Sequence, residues 1–149
     1  MKKVFALTRG QLIDFVAGLD EKIVDVQLKG LNNTIHWHIG HVLVVAESFL
    51  FGFPKQSQNI PANYHALFGY GSKPSDWTGD IPSVETLLSQ LKEQQARINE
   101  IPEHCFGAKL PFAFPIGQLE TLGEVYELMV MHEGTHLGEM KVMKKIIEA

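Results

Sequence analysis

Five of the seven histidines fall in two short windows of the sequence, NTIHWHIGHV and MHEGTHLGEM. In the second window His132 and His136 are four residues apart, so on a helix their imidazoles lie one turn apart on the same face. Buried imidazoles without partners would cost about 1 to 3 kcal/mol each, and a shared cation would satisfy both. The spacing therefore predicts a metal site. The alternative is a pair of core histidines hydrogen-bonded to neighbours or to a buried water.

The first window offers a third nitrogen donor, and the helical wheel leaves two candidates for it. His38 and His41 flank the apolar line of a predicted helix, and the wheel slightly favours His38 for burial. His36 lies toward the opposite side, so we expect it to be exposed to solvent. The residues alone therefore leave the choice between His38 and His41 open.

Three imidazoles without a fourth protein ligand are typical of catalytic zinc sites, in which water fills the remaining position. The same donor set suits Ni, Fe or Co, with Mn as a further option, so the sequence does not select the metal, although Zn and Ni are favoured. An ion held in this way acts as a Lewis acid and acidifies a bound water or thiol. Hydrolysis and thiol transfer are the reactions that this chemistry indicates.

Four further groups near these windows could take part in chemistry. The letters HEGTH fit the HExxH pattern of zinc metallopeptidases, in which Glu133 would be the general base, but we expect Glu133 to be a solvated surface carboxylate. Glu47 and Glu139 could accept hydrogen bonds from ligating imidazoles, or be solvated. Cys105 has no identified partner that would activate its thiol. A metallopeptidase is therefore the less favoured interpretation.

The histidine windows belong to two of four predicted amphipathic helices. Apolar periodicity, an asparagine before the second helix and a Thr121–Glu124 capping box before the fourth set their bounds. Arg9 is expected among the polar positions of the first helix. The four helices span about 2–19, 34–51, 83–101 and 121–147. This pattern predicts an all-α protein, a four-helix bundle whose sites are built from facing helices.

A long segment, Gly52 to Pro82, connects the second and third predicted helices. It is rich in Gly, Pro, Ser and Asn, so we expect it to be a crossover loop without regular helix. Loops longer than about 12 to 15 residues often carry function. Four aromatic side chains of this segment could pack over the core as a lid: Tyr64, Phe68, Tyr70 and Trp77.

Composition limits the class of protein and its partners. The chain has 149 residues, 45% of them hydrophobic and 20% charged, which suits one globular domain over 1–149. A net charge of -4 gives no reason to expect nucleic acid binding. No apolar run approaches the roughly 20 residues of a membrane span. A single cysteine is consistent with a reducing, cytoplasmic setting.

The two windows resemble those of the DinB-like superfamily, whose members are four-helix bundles with a three-histidine metal site. The resemblance rests on the Trp-x-x-Gly-His arrangement that ends at His41, on HEGTHLGEM, and on the segment from Gly117 to Gly123 that leads into the last helix. It implies that His41, rather than His38, joins His132 and His136 at the metal. It also implies homodimers.

The same resemblance indicates the class of activity. Members include metal-dependent thiol transferases and isomerases that use low-molecular-weight thiols. We therefore expect a divalent-metal-binding protein, a metal-dependent enzyme of thiol transferase or hydrolase type that acts on a small molecule. The alternative from another class is a non-catalytic, stress-related protein in which the metal is structural.

Overall fold

A computed structural model describes residues 2–52 and 55–149. Over these ranges the regular structure is helical and no β-strand forms, with one isolated antiparallel bridge between Lys109 and Thr121. Two short 3-10 helices, Pro74–Asp76 and Glu103–Gly107, accompany the α-helices. The α-helices are α1 (Lys2–Ala17), α2 (Glu21–Val24), α3 (Ile35–Phe51), α4 (Tyr64–Phe68), α5 (Val84–Glu100) and α6 (Leu122–Ile147).

The four long helices, α1, α3, α5 and α6, correspond to the four predicted from apolar periodicity. α1 packs against α5 and α6, and α3 packs against the same two helices. The helices that carry the histidine windows, α3 and α6, therefore lie against each other. None of the described helices has both the length and the apolar composition that crossing a bilayer would require.

Side-chain hydrogen bonds cap the beginnings of α3, α5 and α6. The capping box of α6 is confirmed: Thr121 accepts from the Glu124 amide, and the Glu124 carboxylate accepts from the Thr121 amide. α3 is capped by Thr34, whose hydroxyl accepts from the amide of Trp37, so the prediction of an asparagine cap was wrong. Thr34 occupies the position next to the first helical residue, which the asparagines do not.

The segment between α3 and α5 contains a helix, which the prediction of a loop without regular helix missed. α4 has only five residues, too few to be stable alone, and its packing on α3 supplies the stabilisation. Tyr64 and Phe68 are buried, and Trp77 donates from Nε1 to the carbonyl of Leu67 over 2.7 Å. Tyr70 is fully exposed, so the expected packing holds for three of the four aromatic side chains.

Candidate metal centre

Three imidazoles converge where α3 meets α6. Nε2 of His132 lies 3.2 Å from Nε2 of His41 and 3.1 Å from Nε2 of His136. One nitrogen from each residue lies within 4.8 Å of the others, close enough for a single ion to contact all three. His132 and His136 share one face of α6 as their spacing predicts, and His41 faces them from α3.

The spacing of these nitrogens suits a divalent ion. Three ligands at the usual Zn–N distance around a tetrahedral ion stand about 3.3 Å apart. Around an octahedral ion at a similar bond length the ligands stand about 3.0 Å apart. The distances of 3.1 and 3.2 Å fall between these values, so the donor set fits a metal without selecting one.

Hydrogen bonds at Nδ1 of His41 and His136 leave Nε2 of each ring with a lone pair that can bind a metal. Nδ1 of His41 lies 2.7 Å from the carbonyl oxygen of Phe68, which can only accept, so this Nδ1 carries the proton. Nδ1 of His136 lies 3.1 Å from a carboxylate oxygen of Glu139, which favours the same tautomer. Two lone pairs then point at Nε2 of His132, whose buried Nδ1 has no hydrogen-bond partner. A cation between the three rings would satisfy all three Nε2 atoms.

Burial keeps these imidazoles neutral. Removal from water lowers the pKa of His132 to about 3, with repulsion from His136 and His41 adding to the effect. Burial likewise lowers the pKa of His41 to about 4, against the opposing hydrogen bond to Phe68, and lowers the pKa of His136. Neutral imidazole is the form that ligates metals, so the cluster is ready to bind a cation near neutral pH.

His38 and Glu139 surround Nδ1 of His136, the ring nitrogen that faces away from His132. Nδ1 of His38 lies 2.8 Å from Nδ1 of His136 and 3.4 Å from the carboxylate of Glu139. Such partners orient a ligating imidazole and raise its basicity. Glu139 therefore has the contact that the sequence suggested for it, and His38 lies next to the cluster on the far side of the His136 ring.

Trp37 and Phe68 hold His41 in place, and sequence reasoning assigned neither of them a role at the site. The indole of Trp37 stacks on the His41 ring with centroids 4.4 Å apart and planes at 15°. Its Nε1 donates to the Ser72 hydroxyl over 2.8 Å, which ties the segment after α4 to the site. The Trp-x-x-Gly-His arrangement was the available signal, because Trp37 and His41 are one helical turn apart.

A cavity of about 570 Å³ opens onto the three histidines. Its volume lies within the range of roughly 300 to 1,000 Å³ that is usual for small-molecule sites. Apolar side chains of α3 and α6 form part of its wall, and Trp37, Ser72 and Glu139 also line it. A small molecule can therefore reach the nitrogen cluster.

His36 is buried, so the prediction that it is exposed to solvent was wrong. Nδ1 lies 2.9 Å from a carboxylate oxygen of Asp25, and Nε2 lies 2.8 Å from the carbonyl oxygen of Pro82. Asp25, which precedes α3 in the chain, and Pro82, which follows it, cover this side of the helix. A wheel drawn for one helix does not show such contacts. His36 takes no part in the nitrogen cluster.

Glu133 is also buried, so the prediction of a solvated carboxylate was wrong, and Arg9, a polar position of the first helix, is buried with it. The guanidinium of Arg9 donates to both carboxylate oxygens of Glu133, through Nε over 3.0 and 3.1 Å. It also donates to the Leu91 carbonyl over 3.1 Å and to Gln94 over 3.0 Å. With its carboxylate bound to Arg9, Glu133 is not available as a metallopeptidase base.

Glu47 has partners other than an imidazole, which excludes the contact suggested for it. Arg97 donates to both of its carboxylate oxygens over 2.9 Å, and Gln94 donates over 2.7 Å. Asn59, in the segment after α3, donates over 2.8 Å. Burial raises the pKa of Glu47, but the hydrogen bonds from Arg97, Ser57, Gln94 and Asn59 together lower it below its ordinary value. Glu47 therefore links α3, α5 and the crossover segment.

Cys105 lies outside the site. It belongs to the 3-10 helix Glu103–Gly107 and is partly buried. It does not line the cavity at the histidines. The suggested reactive thiol therefore gains no support from its position.

Comparison with known proteins agrees with the histidine windows. Residues 5–140 match the family model of the DinB superfamily, which covers most of the chain. The chain therefore belongs to the DinB superfamily, and the resemblance seen in the sequence is confirmed. A search of curated proteins finds no match.

Proposed function

We propose that this DinB superfamily member is a divalent-metal-dependent enzyme of thiol transferase or hydrolase type. His41, His132 and His136 would hold the ion through their Nε2 atoms. The convergence of these three nitrogens within 4.8 Å carries the proposal. An ion with three imidazole ligands keeps a coordination position open, where it supplies Lewis acidity and lowers the pKa of a bound water or thiol.

The protein would contribute orientation and access to this chemistry. The Phe68 carbonyl and the Glu139 carboxylate keep the protons of His41 and His136 on Nδ1, so that both Nε2 atoms are free to ligate. The stacked Trp37 ring restricts rotation of His41. We expect the ion to be zinc or nickel, with Fe, Co and Mn as further options.

We propose that the scaffold is a four-helix bundle formed by α1, α3, α5 and α6 in one domain. The pairings of α1 and α3 with both α5 and α6 support this arrangement. Residues 52–82, with α4 inside them, would be the crossover connection. His41 of α3 and His132 and His136 of α6 would then hold the metal between facing helices of the bundle, as in other helical bundles.

The cavity favours an enzyme over a non-catalytic metal protein. A structural zinc site is closed by four protein ligands, whereas this cluster has three nitrogens and about 570 Å³ of space beside it. In the non-catalytic alternative, chelation would lower the melting temperature and no substrate would be turned over.

Turnover measured as a function of metal content tests the proposal. Chelator-treated protein, reloaded with zinc or nickel, would be assayed with small thiols plus chromogenic aryl halides and with aryl esters. We expect turnover to return with metal and to be lost in His41→Ala, while His104→Ala, an exposed residue outside the cavity, keeps it. Tight metal binding without metal-dependent turnover across the panel would contradict an enzymatic role.

A further inference from the structure

The wall of the cavity continues from the histidines as apolar surface. Val45 and Phe49 line it from α3, four and eight residues after His41. Leu128 and Met129 line it from α6, four and three residues before His132. These spacings are one and two helical turns, so the apolar side chains share the helix faces that carry the imidazoles.

Two further apolar side chains of the cavity are exposed to solvent. Tyr70 is 100% exposed and Ile116 is 50% exposed, and they come from two separate connecting segments. Exposed apolar side chains that adjoin an apolar cavity commonly mark a site that buries a ligand. Covering these two residues would extend the wall formed by α3 and α6.

Glu139 and Lys73 are the charged side chains that line the cavity. The carboxylate of Glu139 contacts Nδ1 of His136 at 3.1 Å. The ammonium of Lys73 lies 3.8 Å from the carboxylate of Asp76. Asn32, Asn33 and Ser72 line another part of the cavity. Against the apolar wall formed by α3 and α6, a charged or strongly polar ligand body would lose its hydration and gain few hydrogen bonds. This wall therefore selects for an uncharged, apolar group.

We propose that the ligand of this site combines one anionic metal-binding head with an uncharged aliphatic or aromatic body that lies in the cavity. The inference rests on the proposed metal site, because the head would bind the ion. Three neutral imidazoles leave the double positive charge of that ion uncompensated, which favours an anionic donor such as a thiolate or hydroxamate. The body would lie against Val45, Phe49, Leu128 and Met129.

A series of straight-chain hydroxamates, from acetohydroxamate to octanohydroxamate, tests this inference on zinc-loaded protein. All members carry the same head, so titration calorimetry isolates the contribution of the body. We expect Kd to fall about threefold to fourfold per added methylene until the cavity is filled. Zinc content is measured in each sample by elemental analysis.

Two pairs of variants test where the apolar body of the ligand lies. Val45→Thr and Leu128→Gln place polar groups on the cavity wall. Val4→Thr and Met131→Gln make comparable changes at exposed positions of α1 and α6 outside the cavity. The wall variants should flatten the dependence of Kd on chain length, so that octanohydroxamate loses more affinity than acetohydroxamate, whose body is a single methyl group. The surface variants should behave as wild type.

The outcomes separate this inference from the proposed function. If the protein retains zinc and binds acetohydroxamate, but Kd does not depend on chain length, the apolar body is wrong and the metal site stands. An equal effect of wall and surface variants would also overturn the placement of the body. If the wild-type protein retains no zinc, both proposals are overturned.

Discussion

Nδ1 of His136 has a carboxylate partner that would orient this imidazole in the proposed metal site. Glu139 contacts Nδ1 at 3.1 Å and so fixes the tautomer that leaves Nε2 free. We expect Glu139→Gln to weaken zinc binding about 10- to 100-fold, because loss of such a partner lowers ligand basicity and order. Competition with a chromophoric chelator measures the change. Glu127→Gln, an exposed position on the same helix, is the control, and an equal effect of both would refute the role of Glu139.

Glu133 has a structural role in the ion pair with Arg9, both side chains being 0% exposed. Glu133→Gln leaves a buried guanidinium without its counter-charge, so we expect unfolding free energy to fall by about 3 to 5 kcal/mol. Urea unfolding measures this loss. The matched control is Glu148→Gln, which removes an exposed partner of Lys144 and should cost less than about 1 kcal/mol. Unchanged stability with loss of peptide cleavage would instead indicate a catalytic base.

These two glutamates show how far the sequence determined the site. The i, i+4 spacing placed His132 and His136 together, and the family resemblance selected His41. Helical periodicity did not reveal the burial of Glu133, because its partner Arg9 lies 124 residues away in the chain. For the same reason His36 appeared exposed: Asp25 and Pro82 cover it, and neither is on its helix.

Packing between α3 and α4 depends on Gly40. A Cβ at this position would overlap the ring of Phe68, whose carbonyl accepts the hydrogen bond from His41. We expect Gly40→Ala to lower unfolding free energy by about 1 to 3 kcal/mol and to weaken zinc binding, because α4 must move. Urea unfolding and a chelator competition measure the two effects.

Gly134 provides the matched control in α6. A Cβ there meets nothing within 4 Å, so Gly134→Ala should stabilise the helix by about 0.5 to 1 kcal/mol. A Gly40→Ala variant as stable as wild type would contradict the close contact of α3 with α4. Sequence reasoning did not foresee α4, because a five-residue helix depends on its contacts and leaves no periodic pattern to detect.

The whole chain should show a pH-dependent stability that originates in the histidines. The pKa of His41 is lowered to about 4 and that of His132 to about 3, from 6.5 in the unfolded chain. Below pH 6.5 the unfolded state therefore binds more protons, so the unfolding free energy of metal-free protein should fall as pH decreases from 7 toward 4.

Between pH 6.5 and 4.5 the histidine contribution to the unfolding free energy can be measured apart from that of the carboxylates. Glu47 and Glu124 have pKa values lowered from 4.5, so their stabilising contribution is lost only at lower pH. Urea unfolding of metal-free protein across that pH range gives the slope of unfolding free energy against pH. His132→Gln should reduce this slope. A slope that is flat in wild type, or unchanged in the variant, would contradict the burial of neutral imidazoles.

The long helices were predictable from apolar periodicity, and the capping box of α6 was readable from Thr121 and Glu124. Periodicity did not predict the burial of Arg9, Glu47 and Glu133, because these side chains are buried in polar contacts between packed helices. Such contacts join residues far apart in the chain, and they appear only once the helices are assembled.

Elemental analysis of the purified protein tests the metal centre most directly. We expect close to one equivalent of a divalent transition metal per chain in the wild type and in His104→Ala, which changes an exposed histidine outside the cluster. The metal should be lost in His41→Ala, His132→Ala and His136→Ala. A wild type that holds no metal after exposure to zinc and nickel, or the three variants retaining a full equivalent, would contradict a site built from these histidines.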